Sequence, residues 1–129
     1  MSGLPIPLEL SISMERACAL SVQCWRLRRL SEVTKDTTAK SGLRHAVRHV
    51  SETLEALGIE VIDFTGRAYD PGMVPEVVEV RHDQTLTDGQ TVVDETVVPT
   101  ITWRGQVVSA GQIIVRRSAA SPEPNEVLK

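Results

Sequence analysis

The chain has few aromatic residues and few cysteines. Phe, Trp and Tyr together make up 3% of its 129 residues, so Val, Leu and Ile must fill the core, or a partner must complete it. Cys18 and Cys24 are the only cysteines and are six positions apart. Because six residues turn a helix by about 600°, these thiols point to different faces. We therefore expect two small buried thiols rather than a redox pair.

The chain also lacks an excess of basic charge and a long apolar run. Its formal net charge is −3 at pH 7, which argues against non-specific nucleic-acid binding. No apolar stretch approaches the roughly 18–20 residues that a membrane span needs, and no secretion signal is recognisable at the start. We therefore expect a soluble, cytoplasmic protein that binds neither nucleic acid nor a membrane.

The first half of the sequence has the period of two helices. Ser11 or Ser13 is suited to cap a first helix, whose apolar residues form two adjacent stripes. Segment 34–42 interrupts the pattern, and Ser41 is suited to cap a second helix. Apolar residues of the second helix follow at spacings of 4, 3, 4 and 3, and Gly58 stands where a left-handed C-cap belongs. The pattern predicts a helical hairpin.

The apolar face of the first helix is wide enough to need two neighbours. One neighbour is the second helix of the hairpin. The simplest source of the other is a second copy of the chain, which would give a four-helix bundle about a two-fold axis. We therefore expect a homodimer. The residues expected at the dimer interface are Leu20, Leu27, Leu30, Leu43, Val47, Val50 and Leu54.

After Gly58 the helical period gives way to short segments rich in Val, Ile and Thr. Turn signals such as Asp70-Pro71-Gly72 and Ala110-Gly111 separate these segments, which predicts a compact β-sandwich or barrel-like module. The predicted strands are Ile59–Phe64, Val77–His82, Thr91–Val98, Thr100–Arg104, Gln106–Ser109 and Gln112–Arg117.

The predicted fold class is therefore α+β. An N-terminal helical hairpin forms a dimeric four-helix bundle and is followed by a small all-β domain. The helical dimerisation region is predicted for residues 1–58 and the partner-binding β-domain for 59–117. The polar, proline-containing segment 118–129 is expected to be a disordered tail.

No group of residues predicts catalysis, a metal or a cofactor. His45 and His49 share a helix face, but no cysteine joins them, and Arg44 and Arg48 make the local field unfavourable for a cation. Carboxylates fall mostly at turns, where they accept backbone N–H groups. A phosphate-binding glycine loop, a nucleophile elbow and a dinucleotide fingerprint are absent from the sequence. We expect a binding protein, and the least favoured alternative is an enzyme with a shallow carboxylate or histidine site.

Segment 54–78 resembles a known family. A helix ends there at Gly58, apolar residues follow, and residues 66–71 (Gly-Arg-Ala-Tyr-Asp-Pro) match a loop of the form Gly-x-x-Phe-Asp-Pro. This arrangement is similar to the start of the β-domain in the GrpE nucleotide exchange factors. Segment 91–115 resembles the Val-rich strands that close that domain, and the likeness covers roughly residues 14–116.

The resemblance implies a co-chaperone of protein folding and the stress response. GrpE proteins are dimers whose four-helix bundle carries two β-domains. One β-domain binds the ATPase domain of a DnaK-type chaperone and favours an open nucleotide cleft, so ADP leaves faster. The alternative is a dimeric adaptor whose β-domain binds another protein or peptide without exchange activity. Binding that weakens when the partner holds ATP distinguishes the co-chaperone from the adaptor.

The chain departs from the family pattern at several positions. Only about ten residues precede the first helix, where the family has a long N-terminal helix. Segment 72–76 replaces the usual His-Glu-Ala, and Gln106 and Ser109 stand where basic residues are usual. These differences imply a divergent DnaK-like partner or a scaffold that has lost exchange activity. The expected partner-binding residues are Asp70, Pro71, Met73, Arg104, Gln106 and Ser109.

Overall fold

A computed structural model of the chain describes residues 8–119, which form two helices followed by six strands. The order of these elements confirms the predicted α+β class, in which a helical part precedes a small β module. The helices are α1 (Met14–Val33) and α2 (Thr37–Ala56), and the strands are β1 (Ile59–Ile62), β2 (Glu76–Asp83), β3 (Thr91–Val98), β4 (Thr100–Trp103), β5 (Gln106–Ser109) and β6 (Gln112–Ser118).

The helix starts are fixed by side-chain caps. Ser13 caps α1, as one of the two alternatives predicted. Asp36 caps α2, because its Oδ1 accepts two backbone N–H groups of the first turn at 2.9 and 3.1 Å. The prediction of a break over 34–42 with Ser41 as the cap was wrong. A carboxylate that satisfies two first-turn amides starts the helix at Thr37 and leaves only a short connection.

The end of α2 is joined to the β4–β5 hairpin. Gly58 has a φ of +88°, which confirms the predicted left-handed C-cap. The N–H of Arg104 donates to the carbonyl of Gly58 (2.9 Å), and the indole Nε1 of Trp103 donates to the carbonyl of Leu57 (2.9 Å). A Cβ at position 58 would lie 3.1 Å from Cγ of Arg104, so this close approach also favours glycine.

The strands form two three-stranded sheets. The nearly continuous segments β3–β4 and β5–β6 pair with each other as one bent two-stranded ribbon, which contributes strands to both sheets. Sheet A has the order β1-β4-β5 and is antiparallel; in sheet B, of order β2-β6-β3, β2 runs parallel to β6. Only Pro99 separates β3 from β4, and only Ala110 and Gly111 separate β5 from β6. Gly111 has a φ of +80°, and a Cβ there would lie 2.5 Å from the carbonyl oxygen of Val98. We call residues 98–100 and 110–111 the corner.

Two separate apolar clusters fill the interior. The helix-side core lies between the helices and sheet A, whereas the sheet-B core lies between sheet B and the loop of residues 63–75. Cys24 is buried in the helix-side core and Cys18 is half-buried, both as free thiols. The helix-side core consists of Ala17, Cys24, Val47, Leu54, Ile59 and Ile101, and the sheet-B core of Val93, Ile113 and Val115, covered by Phe64, Tyr69, Met73 and Val77.

The predicted strands agree with the observed ones to within two residues at each end. Two residues of the predicted tail, 118–129, are described: Ser118 is fully buried at the end of β6, and the N–H of Ala119 donates to the carbonyl of Asp83 (3.3 Å). Residues 120–129 lie outside the described residues. The division into domains stays a prediction. No helix between residues 8 and 119 combines the length and apolar character that crossing a membrane requires.

Candidate partner-binding surface

The loop of residues 63–75 closes one edge of sheet B. The N–H of Gly66 donates to the carbonyl of Val93, and the N–H of Val93 donates to the carbonyl of Arg67, both at 2.8 Å. The loop therefore lies along β3 as an extra, irregular strand. Covering an edge in this way satisfies backbone groups that would otherwise be open to unwanted pairing. It also fixes the position of the turn that follows.

That turn carries three of the predicted site residues. The carboxylate of Asp70 accepts the N–H of Gly72 (3.0 Å), and the N–H of Met73 donates to the carbonyl of Asp70 (2.8 Å). Asp70 and Pro71 are exposed at the tip. The side chain of Met73 instead packs on the sheet-B core. The turn thus presents Asp70 and Pro71 outward, while Met73 anchors it from below.

The β4–β5 hairpin carries two further predicted residues. Arg104 and Gln106 are both exposed, and Arg104 has a positive φ of 49° in the turn. The guanidinium of Arg104 lies over the Trp103 ring, 4.5 Å from its centroid, which is a cation–π contact. The side chain of Trp103 is in turn bonded to the end of α2. The position of Arg104 is therefore fixed, through Trp103, by the C-terminal end of α2.

The structure does not bring these two groups into direct contact. Within residues 8–119, no hydrogen bond or ion pair joins the Asp70 turn to the Arg104 hairpin. Ser109 is half-buried at the end of β5, where it pairs with Ile101. The N–H of Glu76 donates to the carbonyl of Gly111 (3.1 Å), so the start of β2 meets the corner. The six predicted residues thus span both sheets.

Sequence reasoning missed exposed valines on β2 and β5. Val107, next to Gln106, is 48% exposed, and Val78 and Val80 of β2 are 45% and 40% exposed. The Val-Val pairs of β2 and β5 could have indicated these exposed residues from the sequence. Successive strand residues face opposite sides of a sheet, so one valine of each pair points away from the core.

Charged side chains tie the strands of sheet B together. Asp94 lies 2.7 Å from Nη1 of Arg81 and 2.8 Å from Nε of Arg116, and Arg116 is paired with Asp83 at 2.6 Å. Hydrogen bonds from the hydroxyl and N–H of Thr85, and then from Arg116, hold the pKa of Asp83 below its usual range. The opposite charges are paired, although the buried Nε of Arg116 has no hydrogen bond of acceptable geometry. We therefore assign them to sheet stability rather than to binding.

Four of the seven predicted dimer residues are exposed on the helical hairpin. An apolar groove between α1 and α2 has a volume of about 120 Å³ and includes Leu20, Leu27 and Val50 in its lining. Val47 and Leu54 are buried within the chain itself. The exposed members of the set are Leu20, Leu27, Leu30 and Val50, between 38% and 53% exposed, and Leu43 is half-buried.

A second, larger cleft opens between the helix ends and sheet A. Its volume is about 540 Å³, and its charged lining consists of Arg28, Glu55, Glu60 and Arg104. Two cations and two carboxylates in one open cleft favour no single class of ligand. Within the described part of the chain, no three His, Cys, Asp or Glu side chains cluster closely enough to hold a metal ion.

These surfaces define the candidate site by geometry alone. Two fixed, exposed groups lie on a small β module, and an apolar groove lies on the helices. No protein-family model matches the chain, and no curated protein matches it.

Proposed function

We propose that the protein is a GrpE-like co-chaperone. Its β module binds the ATPase domain of a DnaK-type chaperone and promotes release of ADP, in the cytoplasm. The observation that carries the proposal is the loop at residues 66–71. Its sequence resembles the family loop, it follows a helix that ends at Gly58, and it lies along β3 of a small two-sheet module.

The mechanism is differential binding, without bond breaking. A ligand shifts a conformational equilibrium only when it binds one state more tightly than the other. The Asp70 turn and the Arg104 hairpin are both held by hydrogen bonds before any partner arrives, which lowers the entropic cost of binding. Exposed Asp70 and Arg104 supply opposite charges, and Val107 supplies apolar contact. The proposal requires this surface to bind a partner with its nucleotide cleft open more tightly than the closed form.

The proposal includes a homodimer. Leu20, Leu27, Leu30 and Val50 lie on one exposed apolar patch, which the hairpin of a second copy covers in a four-helix bundle. A dimer presents two β modules, and one of them binds the chaperone.

The test is release of a fluorescent ADP analogue from the DnaK-type chaperone of the same organism. We expect low micromolar concentrations of this protein to accelerate release. Arg104→Ala and Gln106→Ala should reduce the acceleration, whereas Arg26→Ala, an exposed change on α1, should leave it unchanged. The folded dimer is verified beforehand by light scattering.

A second outcome would favour the adaptor. Gln106 and Ser109 occupy positions where the family has basic residues, and Ser109 is half-buried. If the folded dimer binds a protein partner equally well with and without ATP, and ADP release is unchanged, the exchange function is refuted. The β module is then a recognition domain without exchange activity.

A further inference from the structure

The molecule is built from two packed bodies. The helices and sheet A share the helix-side core, and sheet B with the 63–75 loop has its own core. The two cores have no residue in common. The chain passes from one body to the other at the end of β1, at Pro99 and at Ala110-Gly111. Each body therefore has its own apolar core, and the contacts that fix the angle between the bodies lie outside both cores.

The corner interrupts the strand pairing in the ribbon that joins the bodies. Pro99 has no N–H to donate, and Gly111 takes a left-handed conformation. The last paired residues on the sheet-B side of the corner are Val98 and Gln112, and the first on the sheet-A side are Ile101 and Ser109. The regular ladder is interrupted between those pairs, where the Thr100 hydroxyl donates to the carbonyl of Ala110 instead.

Two side chains of α1, which belongs to the first body, donate hydrogen bonds to residues of the second body. The indole Nε1 of Trp25 donates to Oδ2 of Asp63 (2.9 Å), the residue at which the chain enters the 63–75 loop. Nη1 of Arg29 donates to the carbonyl of Thr96 in β3 (3.1 Å). The Arg29 guanidinium also lies 4.8 Å from the centroid of the Trp25 ring, so the two side chains act together.

The two residues that accept these hydrogen bonds, Asp63 and Thr96, are themselves held by further hydrogen bonds. Thr96 is fully buried, and its hydroxyl accepts the N–H of Phe64 (3.2 Å) and contacts the hydroxyl of Thr65 (3.0 Å). Asp63 is held by the N–H of Thr65 at 2.9 Å. Burial raises the pKa of Asp63, but hydrogen bonds from Thr65, Trp25 and Thr96 outweigh it, so the carboxylate stays charged. A charged acceptor strengthens the bond from Trp25.

We propose that Trp25 and Arg29, with Asp63 and Thr96, form a latch that fixes sheet B against the helices. The corner is the hinge about which sheet B moves when the latch opens. The latch sets the distance between the Asp70 turn on sheet B and the Arg104 hairpin on sheet A. Its effect on partner binding rests on the proposed function, whereas the latch itself does not.

The test measures residual dipolar couplings on the full-length, ¹⁵N-labelled protein. In the wild type, couplings from sheets A and B should fit one common alignment tensor. In Arg29→Ala/Asp63→Ala, each sheet should fit its own tensor, and the common fit should be lost. The matched control is Arg26→Ala/Asp88→Ala, two exposed positions on the same helix and before β3, which should keep the common fit.

Two results would overturn the latch. One is a common tensor that survives in the double variant after the Trp25 Nε1 proton resonance has shifted, because the bond to Asp63 is then broken without consequence. The other is a wild type that already needs two tensors. If the double variant does not fold, Trp25→Phe/Arg29→Ala, which removes both hydrogen bonds and keeps an aromatic ring, is measured in the same way, and a common tensor in it refutes the proposal. No partner is needed, so failure of the exchange assay leaves this test intact.

Discussion

At the scale of single residues, Gly111 allows the two strands of the ribbon to approach each other closely at the corner. A side chain there meets the backbone of Val98 and Pro99, with a Cβ only 2.5 Å from the nearer carbonyl oxygen. Backbone atoms of two strands move aside less easily than the end of a flexible side chain. The geometry of both sheets therefore depends on the absence of one methyl group.

Gly111→Ala should lower the free energy of unfolding by well over about 1 kcal/mol, since φ strain and a clash act together. Gly89→Ala is the matched control, because Gly89 has the same φ of +80° but no atom within 4 Å of an added Cβ. Urea denaturation measures both variants. Equal losses would show that the corner relaxes and that the clash contributes nothing.

Asp83 gives sheet B a stability that depends on pH. Its pKa is lowered in the folded state by Thr85 and Arg116, so its contribution is present above the ordinary pKa of about 3.9 and is lost as the pH falls through the folded pKa. Asp83→Asn should therefore destabilise the protein at pH 7 and cease to do so in acid. Denaturation series at both pH values check this, with Asp88→Asn as the control. A cost independent of pH would contradict the assignment.

Residue roles of this kind were the least predictable from the sequence. The helical period places Trp25 on the apolar face of α1, but it does not show that its indole meets a carboxylate beyond β1. Arg29 is one of three arginines close together, and nothing local distinguishes it from Arg26 or Arg28. Contacts between residues far apart in the chain depend on the angle between packed bodies, which local patterns do not encode.

At the scale of elements, caps and turns account for the helix and strand boundaries that could be predicted from the sequence. The strands were predictable because Val-rich segments alternate with glycine and proline turns, and each turn has a local physical cause. The parallel pairing of β2 with β6 was not predicted. Parallel neighbours need a long crossover, and here the crossover contains three other strands, so no nearby signal marks the partner.

Asp36 should prove to be the functional cap of α2. Asp36→Ala removes the acceptor of two first-turn N–H groups and should cost about 0.5–2 kcal/mol in the free energy of unfolding. Ser41→Ala, inside the helix, should cost nothing or stabilise slightly, because alanine has the better helix propensity. Thermal and urea unfolding compare the pair. A larger loss from Ser41→Ala would mean that the helix begins later in solution.

At the scale of the whole molecule, an apolar patch remains exposed on the helices. The first helix was expected to need two neighbours, and α2 with sheet A covers only part of its face. The candidate site was predictable as exposed turns at Asp70 and Arg104. The packing of Met73 against sheet B was not, because a methionine in a polar turn gives no sign of which cluster it joins.

The dimer is tested on the exposed part of that patch. Leu27→Asp should give a monomer of 14.2 kDa, because burying an unpaired carboxylate in the interface is costly. Val74→Asp, which changes a similarly exposed apolar residue on the β module, should leave the dimer intact. Light scattering or sedimentation measures the mass. An unchanged mass for Leu27→Asp, with unchanged helicity, would refute the bundle.

The bent ribbon has a consequence for synthesis on the ribosome. The helices emerge first, but Ile101 of their core lies on β4 and arrives only with the last third of the chain. Strand β2 waits longer still, because its partner β6 is made last. The newly made hairpin therefore lacks the cover that β4 gives its core until that strand emerges, and sheet B forms only after β6 has been made. A ribosome stalled before β4 would display a hairpin whose core still lacks Ile101.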